Sequence, residues 1–296
     1  MWRTMFRRIL FLLACTALTH LPSRFACAAE PGNPLRVELV SETQGIQPGR
    51  PFLVALALHP PPGYHSYWKF PGIVGVSTSL KWELPQGWKA APLIWPTPER
   101  VMMFQIKAQG FHGRRLLPVE ITPPPNLAPG QSCELVAKAF WMCCGKDCNP
   151  GFQTFHLSMP VLISPPKKDP KWAPLFAEAL AQVPTPKPGW KISAARSPST
   201  IQIRVEAVSS AAKAQLPKIQ EATFFTEDGL TDPNSIEKFV LLPNGFSLTL
   251  GISEFAPKPL PRTVNGVLQT PRGWLPETES SGMRISAPLV PLRGAQ

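Results

Sequence analysis

Proline sets the first limit on this chain: 38 of its 296 residues are proline. Each one removes a backbone donor and clashes with the preceding helical turn, so helix interiors are closed to it. Short apolar runs lie between these prolines, bounded by further Pro and Gly. Such a pattern suits strands, with the prolines at edges, turns and rigid loops. The expected fold class is all-β, of sandwich type.

Period-two alternation then picks out individual strands. Leu35 to Val40 and Leu80 to Leu84 alternate, whereas Phe52 to Leu58 is apolar throughout and reads as a strand covered on both faces. One helix is expected, from Pro174 to Val183, where Leu175, Phe176, Ala179, Leu180 and Val183 recur at helical spacing. Later strands are read at Trp190 to Ile192, Ile201 to Val208, Thr223 to Thr226, Phe239 to Leu242, Phe246 to Ile252 and Val264 to Leu268. A Pro/Lys-rich stretch separates the two halves. The expected division is 31–165 for a first β-domain, 166–189 for a linker with a short helix, and 190–296 for a second, smaller β-domain.

The N-terminus carries Arg3, Arg7 and Arg8, then an apolar run from Ile9 to Leu18, then Ala26-Cys27-Ala28. This is the pattern of an export signal, and the run is too short to span a bilayer. Cleavage is expected after Ala28. The chain would then be soluble outside the cytoplasm; a lipid anchor on Cys15 or an uncleaved signal ranks lower. Loss of four arginines lowers the formal charge of +11 to +7, with the basic residues scattered. No nucleic-acid motif accompanies them. No nucleophile triad, phosphate loop or paired-carboxylate signature is found.

Four cysteines remain beyond residue 28: Cys133, Cys143, Cys144 and Cys148. From Cys133 to Cys143 the odd positions are apolar, while Glu134 and Lys138 hold even ones. That alternation puts Cys143 on the core face and Cys144 on the opposite, more open face. Gly145-Lys146-Asp147 makes a three-residue turn, and a hairpin closed there sets Cys144 opposite Cys148 at a spacing that suits a disulfide. Cys133 and Cys143 lie too far apart along one strand to bridge, so both are expected free.

Four motifs in order give a resemblance. Tyr67-Trp68 with Pro71-Gly72 and Gly75, Trp95-Pro96-x-Pro98-x-Arg100, Gly110-Phe111 after Gln109, and Cys144-x3-Cys148 followed by Pro150 are similar to the N-terminal periplasmic domain of the thiol:disulfide interchange protein DsbD. They resemble more closely its relatives in copper-stress resistance. The resemblance covers about residues 35–165 and implies an immunoglobulin-like sandwich. It implies that Cys144 and Cys148 are the redox pair, with Tyr67, Trp68 and Phe70 as possible shielding over it, and that no cofactor is needed. The electron donor would be a membrane-embedded thiol reductase and the acceptor a periplasmic thioredoxin-like disulfide protein. Cys143 is a departure from the family pattern. So is the lack of a membrane segment and a thioredoxin-like domain in the sequence, which makes a stand-alone module the expectation.

Two other readings compete. Soft thiolates suit Cu(I), so Cys143, Cys144 and Cys148, with His112 or His156 as a fourth ligand, could serve a copper chaperone. A stapled hairpin with a purely structural disulfide is the other. The aromatic residues read first as packing, and His65, His112 and His156 as ordinary core or surface histidines.

Overall fold

The structure is a computed structural model that describes residues 33–275 and 282–292. The expected export signal at 1–28 lies outside the described residues. The first half is built from β1 (Arg36–Ser41), β2 (Phe52–His59), β3 (His65–Tyr67), β4 (Ser79–Glu83), β5 (Lys89–Ala90), β6 (Glu99–Met103), β7 (Ile106–His112), β8 (Arg115–Thr122), β9 (Ser132–Cys144) and β10 (Cys148–Pro160). One sheet has the order β1-β2-β8-β5. The facing sheet runs β10-β9-β3-β7-β6, with β4 also paired to β9.

Burial explains why these segments pair as they do. Leu56 and Leu58 of β2 meet Phe111, Ala139, Trp141 and Cys143 of the facing sheet in one buried cluster. A second cluster joins Val54, Val119 and Ile121 to Leu135 and Met159. These are the two inner faces of a sandwich. Ala55 and Ala57, on the other side of β2, pack under Trp172, Phe176 and Ala179. The last two of these lie on α1 (Ala173–Ala181). The continuous apolar run of β2 is therefore covered on both faces, by the sandwich core and by the helix.

The second half comprises β11 (Trp190–Arg196), β12 (Thr200–Ala207), α2 (Ser210–Gln215), β13 (Thr223–Thr226), β14 (Glu237–Leu242), β15 (Gly245–Gly251), β16 (Thr263–Gln269) and β17 (Gly282–Pro291). Its sheet order is β13-β16-β17-β11-β12-β15-β14. Inward residues of β12, β15, β16 and β17 meet in one cluster with Trp190 and Trp274, so this sheet curls around its own core. The sequence reading gave no strand at β17. Its alternation is plain, with Met283, Ile285, Ala287 and Leu289 buried, but Pro288 and Pro291 mask it.

The halves share a core. Phe225 of β13 and Val267 of β16 belong to the same buried cluster as Leu56, Trp68 and Trp141. Around them, Gln109 donates through Nε2 to the carbonyls of Phe70 and Thr226, at 2.6 and 3.0 Å. Asn234 bonds both backbone groups of Lys107. Arg100 donates to both carboxylate oxygens of Glu237 at 3.1 Å and lies over the Phe225 ring. The arginine of the Trp-Pro-x-Pro-x-Arg motif is thus a joint between the halves.

Phe225→Ala should cost about 3–5 kcal/mol of unfolding free energy, the range for a fully buried aromatic. Phe255→Ala should change it by no more than about 0.5 kcal/mol, because Phe255 is 71% exposed. Urea unfolding of the two variants compares them directly; equal effects would refute the shared core.

Candidate functional site

Strand β9 carries the site. Its thirteen residues pair with β10 in unbroken register, from Ser132 opposite Pro160 to Cys144 opposite Cys148. Gly145-Lys146-Asp147 closes the hairpin, and the Gly145 N–H donates to the Asp147 carbonyl at 2.8 Å. Cys144 and Cys148 are joined by a disulfide, with Cα atoms 4.2 Å apart. Cys133 and Cys143 are free thiols.

The period-two pleat sends neighbours to opposite faces. Cys143 pairs with Ser66 and lies in the sandwich core beside Trp68, Phe111 and Trp141. Cys144 pairs with His65 on the outer face. That face was expected to be open, yet Cys144 is fully buried. The cover comes from the segment after β3. Val74 packs against a cluster of Tyr67, Val101, Ala108 and Cys144. Gly75, at φ +84°, lies so close to the Tyr67 ring that any Cβ there would clash with it. Both the positive φ and the contact require glycine. Cys148 is only half-buried, so the two residues of the disulfide differ in exposure.

The three aromatic residues considered as shielding have three different positions. Tyr67 lies in the cluster with Cys144. Trp68 is on the other face, in the core with Cys143. Phe70 packs partly against that core and touches Gly229 of the second half. Val74, Val101, Met103 and Ala108, which sequence reasoning did not single out, complete the cover. Val101 and Met103 alternate along β6, the one pattern in the sequence that could have marked them.

The turn has its own polar network. Tyr64 Oη donates to Asp147 Oδ1 at 2.8 Å, and Asn149 Nδ2 donates to the same oxygen at 2.9 Å. These bonds, Tyr64 first, hold the Asp147 carboxyl below its ordinary range. Lys146 is exposed. The copper ligands considered above do not converge. Cys143 faces away from Cys144, His156 is paired with Glu134, and His112 with Glu99. Among the described residues no group of three or more His, Cys, Asp or Glu is placed to hold a metal ion.

Burial pushes the Cys143 thiol up to about 12, with the Asp147 charge adding to it. A raised thiol pKa keeps the folded state protonated where the unfolded chain has ionised. The stability that this protonation carries is therefore complete below the unfolded value near 9 and is lost as pH rises toward 12. At pH 8, iodoacetamide should modify Cys133 while Cys143 reacts roughly a hundredfold or more slower. Both should react after denaturation. Peptide mass spectrometry reads the difference, and equal rates in the folded protein would contradict the core position of Cys143.

Residues 36–160 match the family model described as Thiol:disulfide interchange protein DsbD, N-terminal. Among solved structures, the chain is similar to the N-terminal periplasmic domain of ScsB from Proteus mirabilis, with TM-score 0.63 and 15% identity over 90% of this chain and 97% of that one. At that identity the likeness shows the fold. The sporulation control protein Spo0M from Bacillus subtilis reaches only TM-score 0.24 at 11% identity, over 86% of this chain and 90% of that one, and carries no argument. No curated protein matches the chain. The family match begins at the first residue of β1 and ends at the last residue of β10. The match to the DsbD N-terminal family model therefore takes in the whole first sandwich, disulfide hairpin included.

Proposed function

We propose that this chain is an exported thiol–disulfide interchange module, and that Cys144–Cys148 is the bond it exchanges. The observation that carries the reading is the asymmetric disulfide at the hairpin tip, within a sandwich matched by the DsbD N-terminal family model. Cys148 is half-buried and Cys144 is covered. An incoming thiolate therefore meets Cys148 first. Attack on the Cys148 sulfur forms a mixed disulfide and expels Cys144 as a thiolate, which takes up a proton. The partner's second thiolate then attacks its own sulfur in the mixed disulfide and releases Cys148. The partner leaves as a disulfide, and two electrons and two protons stay on Cys144 and Cys148. The reverse sequence reduces a partner's disulfide.

The donor in this reading is a membrane-embedded thiol reductase on a separate polypeptide, and the acceptor is a thioredoxin-like disulfide protein of the periplasm. The periplasmic setting of the ScsB domain supports that placement. Among the described residues no helix is long and apolar enough to cross a membrane. Residues 190–296 act as a second β-domain that holds the first in position through Arg100–Glu237 and the shared core. The exchange needs no metal or organic cofactor.

The test uses the full chain, reduced and then offered oxidised glutathione. Wild type should return to the Cys144–Cys148 disulfide with release of glutathione. Cys144→Ser should stop at a stable glutathione adduct on Cys148, read by peptide mass. Cys148→Ser should form at least tenfold less adduct on the hairpin, because Cys144 is buried. Failure of wild type to exchange, or an adduct placed mainly on Cys144, would overturn the reading.

A further inference from the structure

Four directly opposed residues form a row across four neighbouring strands. His112 of β7 stands opposite His65 of β3, His65 opposite Cys144 of β9, and Cys144 opposite Cys148 of β10. Directly opposed residues share a sheet face and have Cβ atoms about 4.5–5.5 Å apart. One end of the row is the exchanging disulfide. The other end is in water: the His112 side chain is 54% exposed and its Nδ1 lies 3.1 Å from Glu99 Oε2. Between them His65 is buried, and its Nε2 has no hydrogen-bond partner. A buried ring nitrogen without a partner is costly in a folded protein, and here it belongs to the residue directly opposite Cys144, whose sulfur must gain and lose a proton.

We propose that His65 and His112 relay the proton of Cys144 to and from solvent during disulfide exchange. The proposal rests on the interchange reading above and assigns its missing proton step. Cys144 is enclosed by Tyr67, Val101 and Ala108, so water does not reach the thiolate that leaves it. A neutral imidazole accepts at one ring nitrogen and donates at the other, which suits it to pass a proton along a row. When Cys144 is expelled, His65 gives its ring proton to the sulfur and recovers one from His112. When the Cys144 thiol attacks a mixed disulfide, the proton runs the other way. The two imidazole centroids are 6.1 Å apart, a separation one bridging water spans. No electrons move in this step; the S–S bonds exchange as described above.

The surroundings favour a neutral His65. Burial, with the His112 charge adding, lowers its pKa to about 4. The other titratable groups facing it are Tyr67 on its own strand, raised to about 12 by burial, and Cys144. Glu99 and its partner Arg115 stand beyond His112. On the turn side, Asp147 is engaged by Tyr64. As negative charge develops on the Cys144 sulfur, the imidazole beside it becomes more basic.

The test uses the reduced full chain with Cys15, Cys27 and Cys133 replaced by serine, and Ellman's reagent as the oxidant. Cys148 reacts first and releases one thionitrobenzoate; Cys144 then displaces the second. The second phase reports Cys144 alone. His65→Phe and His65→Gln should each slow that phase tenfold or more at pH 7, the low end of general acid–base effects. Its rate should also rise about tenfold per pH unit, where the parent protein is flatter. His112→Ala, at an exposed site, should slow it several-fold and leave the first phase unchanged. A second phase within twofold of the parent in all three variants would overturn the relay. So would recovery by His65→Gln alone, since that would make His65 a structural hydrogen-bonding residue. If the parent itself shows no second phase, the interchange reading fails instead.

Discussion

The cross-strand pairing of β9 is the constraint on which the rest of the molecule depends. The strand is paired along one edge to β10 over its whole length, and along the other to β4 and then β3. A shift of one residue would turn every side chain to the opposite face. It would carry Leu135, Ala137, Ala139, Trp141 and Cys143 out of the core and put Glu134 and Lys138 into it. The apolar set of β9 thus locks the register, and the register alone decides that Cys144 stands opposite Cys148 while Cys143 faces inward. A thiol one residue from the disulfide is kept apart by the pleat.

Shielding of the disulfide is a separate construction, added to the outer face. Tyr67 follows from β3, Val101 and Met103 from β6, and Val74 from the segment that Gly75 allows to lie against the Tyr67 ring. That segment continues from Phe70, whose carbonyl accepts from Gln109 while Gln109 also reaches Thr226 of the second half. The second half therefore braces the base of the cover. Arg100 contributes to the same brace. Burial lowers its pKa, yet Glu237 and the Phe225 ring compensate the guanidinium within the contact. A half-buried, doubly bonded arginine of this kind fixes geometry more than it adds stability.

Local signals in the sequence carried most of the fold. Alternation located β1, β4 and β9. The unbroken apolar run of β2 implied cover on both faces, and helical spacing placed α1 within two residues at each end. The register of the hairpin followed from the same alternation together with the length of the Gly145-Lys146-Asp147 turn. The burial of Cys144 was not legible, because it depends on Val74, Val101 and Ala108, which are far from it in sequence. The row from His112 to Cys148 was hidden for the same reason: its members come from four strands whose order only the folded sheet reveals. Strand β17 was obscured by its prolines, although every second residue from Met283 to Leu289 is apolar.

The central claim is that the Cys144–Cys148 bond is an exchangeable one, presented at Cys148 and protected at Cys144. Its equilibrium reduction potential in the intact protein tests this most directly. The bond can be equilibrated with defined ratios of reduced and oxidised dithiothreitol, with the two states counted by mass after acid quenching. The account predicts a potential above about −300 mV, in the range where protein partners can reduce and reoxidise it. A value below about −300 mV would mark a permanent staple and contradict the account.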